Sequence, residues 1–136
     1  MYFCLMARQP KPIPFDFILD ELFSLNPRVN PMFGCHAIYV GEKLYFIVRD
    51  KPGVHEESNG VWISTSTEHH ASLQKEFPAL KSVEILSMPS RETPWRMLHK
   101  DEERFESDVI RICSLVKKGD PRLGKVPQKK NKKKQK

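Results

Sequence analysis

The 136-residue chain has few of the residues that would mark a specialised scaffold. Its three cysteines, Cys4, Cys35 and Cys113, are too few and too far apart for a disulfide framework or a zinc knuckle. No apolar run approaches the ~20 residues that a membrane helix needs. The short apolar start, Met1 to Met6, lacks the basic leader and cleavage site of a secretory signal, and the sequence does not decide between Met1 and Met6 as the start. There is no G-x-G-x-x-G, Walker loop, G-x-S-x-G or H-E-x-x-H, and no internal repeat. These absences argue against a stapled secreted domain and a helical membrane protein. They lead to the expectation of a cytoplasmic protein without membrane contact, cofactor or metal, and more in keeping with a binding domain than an enzyme.

What is present is the composition of one soluble domain, 39% hydrophobic and 29% charged. The charge is uneven. The last twelve residues hold seven lysines (Lys125, Lys129, Lys130, Lys132, Lys133, Lys134 and Lys136) and no acid. The chain's +6 less these 7 leaves residues 1–124 at −1. Three regions are therefore expected: a flexible segment at 1–11, a folded domain at 12–124, and a disordered lysine-rich tail at 125–136. Two readings of the tail stand side by side. It binds nucleic acid through its phosphates, or it keeps the protein soluble.

Hydrophobic periodicity predicts three helices and about five strands. Phe15, Ile18, Leu19, Leu22 and Phe23 recur at helical spacing over 16–25, and Asn26-Pro27 ends that helix. Met32-Phe33-Gly34 reads as a break before strands at 35–40 and 43–50, joined by a Gly41-Glu42 turn. The second of these, apolar on both faces, is expected to be central. A short strand at 61–63 follows. Thr65 and Glu68 match a capping box that opens a helix to about Phe77, burying His70, Leu73 and Phe77. Strands at 82–86 and 95–98 precede a last helix capped by Asp101, with Phe105, Val109, Ile112, Cys113 and Val116 on its buried stripe. The plan is α+β, with helices packed on one face of an antiparallel sheet.

Candidate chemistry is sparse. Cys35 next to a histidine is conceivable as a nucleophile, but a free cysteine among apolar strand residues behaves as a small hydrophobe. Trp62 and Trp95 lie in strands, where core packing competes with base stacking. Arg91, Arg96 and Lys100 offer an anion site, or pair with Glu92 and Asp101. A composite pocket, for a small ligand or a reaction, would gather Cys35, His36 and Trp95.

The segment Met32-Phe33-Gly34-Cys35-His36-Ala37-Ile38-Tyr39-Val40, followed by Leu44 to Val48, resembles the TfoX/Sxy N-terminal domain. That family opens its hairpin with a Met-Phe-Gly-Gly, small residue, Gly, Ile-Tyr pattern. Met32, Phe33, Gly34, Ile38 and Tyr39 match, while Cys35 and Ala37 replace glycines. The stretch from Trp95 to Val116 is similar to the end of the same domain and of the MmcQ/YjbR-like proteins, and Lys118 to Lys125 is similar to the ending of short bacterial relatives. The resemblance covers residues 12–124. It implies a small α+β fold with no assigned catalytic residue. The longer TfoX/Sxy proteins regulate competence genes and carry a second, helical domain; here a lysine tail stands in its place. The resulting expectation is a bacterial, non-enzymatic binding or regulatory domain with a protein partner and weak nucleic-acid affinity through the tail.

Overall fold

The computed structural model describes residues 13–32, 34–53, 55–83 and 93–126. The expected flexible start at 1–11 and the tail beyond Val126 lie outside these residues. The first helix, α1 (Phe17–Glu21), is shorter than its pattern suggests and continues as a 3-10 turn over Phe23–Leu25. Ile18 and Leu22 are fully buried as the spacing predicts. Phe23 is not; it is 79% exposed. The tighter 3-10 turn rotates it off the apolar stripe. Asn26, in the left-handed region at φ 57°, then redirects the chain.

The redirected chain forms β1 (Arg28–Met32), a strand the sequence reading treats as linker. Asn30 and Pro31 are poor strand residues, and Pro31 is tolerated because β1 is an edge strand. Met32 is thus not part of a break: it pairs with Cys35, the first residue of β2 (Cys35–Val40). The turn at Gly41-Glu42 joins β2 to β3 (Lys43–Arg49) as expected, with Gly41 at φ 61°. That φ is what the first central position of a type II′ turn requires. A bulge at Ile38/Tyr39 shifts the register, so Tyr45 and Phe46 both join the main core.

Next come β4 (Gly60–Ile63), α2 (His70–Glu76), β5 (Lys81–Ser82), β6 (Arg96–His99) and α3 (Phe105–Lys117). The described residues thus form an α+β protein with three helices and one six-stranded antiparallel sheet, in the order β1-β2-β3-β4-β6-β5. The expected strand at 82–86 is seen as Lys81–Ser82, and its residues 84–86 lie outside the described residues. β3 is interior, as its two apolar faces predict. None of the described helices is long and apolar enough to cross a membrane.

Two helix starts differ from expectation. No side chain caps the turn before α2: Thr65 donates its hydroxyl to the Arg122 carbonyl at 2.7 Å instead. Asp101 does not cap α3, whose N-cap position is Arg104; the Asp101 N–H donates to His99 Nδ1 at 3.1 Å. At Thr65 a tertiary partner replaced the local one, and at Asp101 the turn with His99 did so. The α3 stripe is as predicted, with Phe105, Val109, Ile112, Cys113 and Val116 all buried. Its end closes by the paired bonds Asp120 N–H to Leu115 O and Gly119 N–H to Val116 O, a Schellman arrangement.

Strand alternation divides the sheet into two faces. Ile38, Phe46, Val48, Val61, Ile63 and Leu98 meet the helices in the main core. Each such buried side chain contributes roughly 1.5–3 kcal/mol. Cys35, Ala37, Leu44, Ile47, Trp62 and Met97 form a separate cluster on the second face, with Tyr39 and Trp95 packed against it.

Candidate functional site

The proposed pocket residues do not share one place. Cys35 and Trp95 belong to the second face, but His36 alternates onto the helix side, half-buried. Between β2 and β6 lie β3 and β4. Three strand spacings of about 4.8 Å separate them laterally, on the order of 14 Å. Trp95 also lies near the level of Tyr39 and Leu44, whereas Cys35 sits at the level of Arg49, Gly60 and His99. The register thus holds Cys35, His36 and Trp95 apart. Two clefts, of about 390 and 550 Å³, are lined by other residues.

Cys35 lies beside Arg49. Burial pushes its thiol pKa up, and the nearby Arg49 and Lys51 charges oppose that only in part. The thiol is therefore protonated at neutral pH, which is the state of a packing residue rather than a nucleophile. Arg49 itself is buried and organises the following loop. Its Nη1 donates to the His55 carbonyl at 2.7 Å and to Asn59 Oδ1 at 2.6 Å. Asn59 returns a bond from Nδ2 to the Lys51 carbonyl at 2.8 Å. Asn59 reads in sequence as turn punctuation; its side chain is the hub of the loop.

Trp62 and Trp95 are edge-to-face partners with ring centroids 6.3 Å apart. Trp62 donates its indole N–H to the Ser58 carbonyl at 2.9 Å. Trp62 is 5% exposed and serves packing. Arg96 turns the other way. It donates from Nη2 to His70 Nδ1 at 2.7 Å, and His70 Nε2 donates to the Pro94 carbonyl at 2.8 Å. A guanidinium only donates, so Nδ1 of His70 is the acceptor and Nε2 the donor. Lys100 pairs with Asp50 at 2.9 Å. The anion site suggested for Arg91, Arg96 and Lys100 is therefore not assembled: Arg96 is buried against His70, Lys100 is matched, and Arg91 lies outside the described residues.

The 390 Å³ cleft lies at the Cys35 end of the sheet, lined by Asp50, Glu56, Glu57, Asn59, His99 and Lys100 with neighbours. Its polar groups satisfy one another. Glu56 accepts from the Gly53 N–H at 2.6 Å. His99 donates from Nε2 to the Glu56 carbonyl at 2.9 Å and accepts at Nδ1 from Asp101. Both ring nitrogens are occupied, which removes His99 as a ready general base. In the 550 Å³ cleft between α2 and α3, Arg104 and Arg111 flank the buried Asp108 carboxylate at 3.6 and 3.5 Å.

The C-terminal end of the domain carries the most developed polar network. Arg122 donates to Asp120 Oδ2 at 2.7 Å, to Ser72 Oγ at 2.7 Å and to Glu76 Oε1 at 3.0 Å. Those bonds hold the Asp120 carboxyl below its ordinary range and raise the Arg122 guanidinium further above neutrality. Leu123 is buried in the main core. Lys125 exchanges both backbone bonds with Leu44, at 2.8 and 3.1 Å. Lys125 was expected to begin the tail; its backbone instead belongs to the sheet. The remaining tail lysines, Lys129, Lys130, Lys132, Lys133, Lys134 and Lys136, lie outside the described residues. The signal for this clamp was present as the segment Asp120-Pro121-Arg122-Leu123-Gly124, but nothing in its spacing names α2 as the partner of Arg122.

The fold and these networks define an α+β protein of the helices-on-antiparallel-sheet class. Comparison with family models, with curated proteins and with solved structures found no match to this chain.

Proposed function

We propose that this chain is a non-enzymatic binding domain of TfoX N-terminal type that attaches to nucleic acid through its C-terminal lysines. The observation that carries this reading is where the lysine run starts. Its first member, Lys125, is locked by backbone bonds to Leu44, one residue beyond Gly124 and close to the Arg122 network. A cationic segment mounted on a rigid strand end is displayed from a fixed point of the domain, and phosphate attraction needs no further geometry. The Arg49–Asn59 loop and the Arg122 network tie polar groups of the folded part to one another, which suits a stable carrier. A regulatory role with a protein partner, as the TfoX resemblance implies, is part of the same proposal.

The test is duplex binding by the full chain at several salt concentrations. The comparison protein replaces Lys129, Lys130, Lys132, Lys133, Lys134 and Lys136 by glutamine. Six engaged lysines predict a log–log salt slope steeper by about 5 in the unsubstituted protein. Equal slopes would refute the tail as a phosphate contact. The second reading, a small-ligand protein or enzyme, finds its support in the 390 Å³ cleft. Saturable, stoichiometric binding of a metabolite there, abolished by Asn59→Ala, would favour it.

A further inference from the structure

The six strands carry Arg28, Lys43, Arg49, Lys81 and Arg96 and not one carboxylate. Every described acid belongs to a helix, a turn or a loop. On the helix side the arginines are matched. Arg104 and Arg111 flank Asp108, and Arg122 holds Asp120 and Glu76. The near-neutral sum for residues 1–124 therefore hides a separation of charge between the layers.

The hairpin end of the sheet shows that separation most clearly. Arg28 pairs with Tyr39, Tyr39 with Leu44, and Leu44 with Lys125. These four residues make one row on the second face, on the order of 14 Å across. Its two ends, Arg28 and Lys125, are exposed cations. The Arg28 guanidinium lies 4.7 Å over the Tyr39 ring and donates one N–H to the Gly41 carbonyl at 2.9 Å. That leaves donors of the planar fork for a phosphate. Lys43, also exposed, stands at the same end opposite Val40, one position along from Leu44 and so on the helix side of the hairpin tip. No carboxylate among the described residues lies within ion-pair distance of Arg28, Lys43 or Lys125. Glu42 at the turn is the nearby acid, so the four charges sum to +2. The lysine run continues in sequence from the end of this row.

We propose that the hairpin end, through Arg28, Lys43 and Lys125, is the phosphate-contact surface of the folded domain, holding the backbone of duplex DNA alongside the tail. The inference rests on the nucleic-acid reading above and adds the surface on which the duplex lies. A 14 Å row covers about four base-pair steps of the duplex axis at ~3.4 Å each. Contacts to phosphates position the protein and carry no sequence preference.

The experiment uses full-length protein and a labelled duplex of random sequence across a salt series. R28Q/K43Q removes two charges from the hairpin end. K75Q/K118Q removes two exposed charges from the helix side. The expected result is a slope shallower by about 2 for the first and unchanged for the second. R28K/K43R, which keeps the charge, retains the slope and reports whether side-chain replacement alone disturbs the domain; matching melting temperatures complete that control. Equal slopes for R28Q/K43Q and the unsubstituted protein overturn the surface, and so do equal losses in the two glutamine pairs. If the tail-lysine variant loses all binding while R28Q/K43Q binds normally, the tail reading stands and the surface fails. If R28Q/K43Q loses binding that the tail variant keeps, the surface stands and the tail reading fails. No binding by the unsubstituted protein overturns both.

Discussion

On its helix side the sheet presents Ile38, Phe46, Val48, Val61, Ile63 and Leu98 to three helices, and the result is a continuous apolar core reaching to Leu123. On the other side the same strands present Cys35, Ala37, Leu44, Ile47, Trp62 and Met97, a smaller cluster bordered by Tyr39, Trp95 and the cations Arg28 and Lys125. The first face is mostly aliphatic and aromatic, and Arg96 there is bonded to His70. The second face mixes thiol, indole, phenol and guanidinium. Alternation along the strands produced this sorting, so a function for the folded domain is better sought on the second face than in the helix layer.

The largest expected difference between the faces is in stability. Phe77→Ala empties a fully buried site in the main core and should cost about 3–5 kcal/mol. Met97→Ala, equally buried but in the smaller cluster, falls in a range of about 2–5 kcal/mol. Chemical denaturation of both variants measures the contrast. A Met97→Ala cost above that of Phe77→Ala would remove the ranking of the two clusters.

The C-terminal clamp ties the faces together and comes next in size. Gly124 has φ 87°, and a Cβ there would stand 2.5 Å from the Tyr45 ring. Gly124→Ala should therefore cost about 1–3 kcal/mol from backbone strain, with ring displacement added. Arg122→Ala should cost about 1–3 kcal/mol through its charged hydrogen bonds. It also predicts a pH effect. Arg122 depresses the Asp120 pKa in the folded state. The associated stability is present above the unfolded carboxyl value near 3.9 and is lost as pH falls through the lower folded value. The acid limb of a stability profile below about pH 4 should flatten in Arg122→Ala; an unchanged limb would remove the Asp120 linkage.

Periodicity carried most of the architecture. The α3 stripe, the Gly41 turn and the central place of β3 all follow from residue spacing, because each depends on local repetition. What spacing cannot carry is the choice of a distant partner. Thr65 has the form of a cap, yet Arg122, 57 residues away, takes its hydroxyl. Pro31 hides an edge strand because edge strands tolerate what interior strands reject. Cys35 and Trp95 were grouped as adjacent chemistry, but register, which a single sequence does not display, puts two strands between them. Net charge misled for a related reason: a sum of −1 is blind to which layer each charge occupies.

The smallest predicted effect is the sharpest test of the difference between the faces, and it uses the two described cysteines. Cys113 sits in the main core, where burial pushes its thiol pKa up to about 12. Cys35 sits on the second face with Arg49 as a hydrogen-bond partner. Replacing each by serine substitutes a hydroxyl of similar size. At Cys113 the surroundings are apolar, and an unmatched hydroxyl should cost about 1–3 kcal/mol. At Cys35 the Arg49 guanidinium donates to the new oxygen, so the cost should stay below about 1 kcal/mol. Native-state alkylation adds a kinetic reading, in which Cys35 reacts faster than Cys113 and both react more slowly than a free thiol. If Cys35→Ser proved the costlier change, the second face would be as intolerant of polarity as the helix side. Nothing physical would then distinguish that face as a place for function.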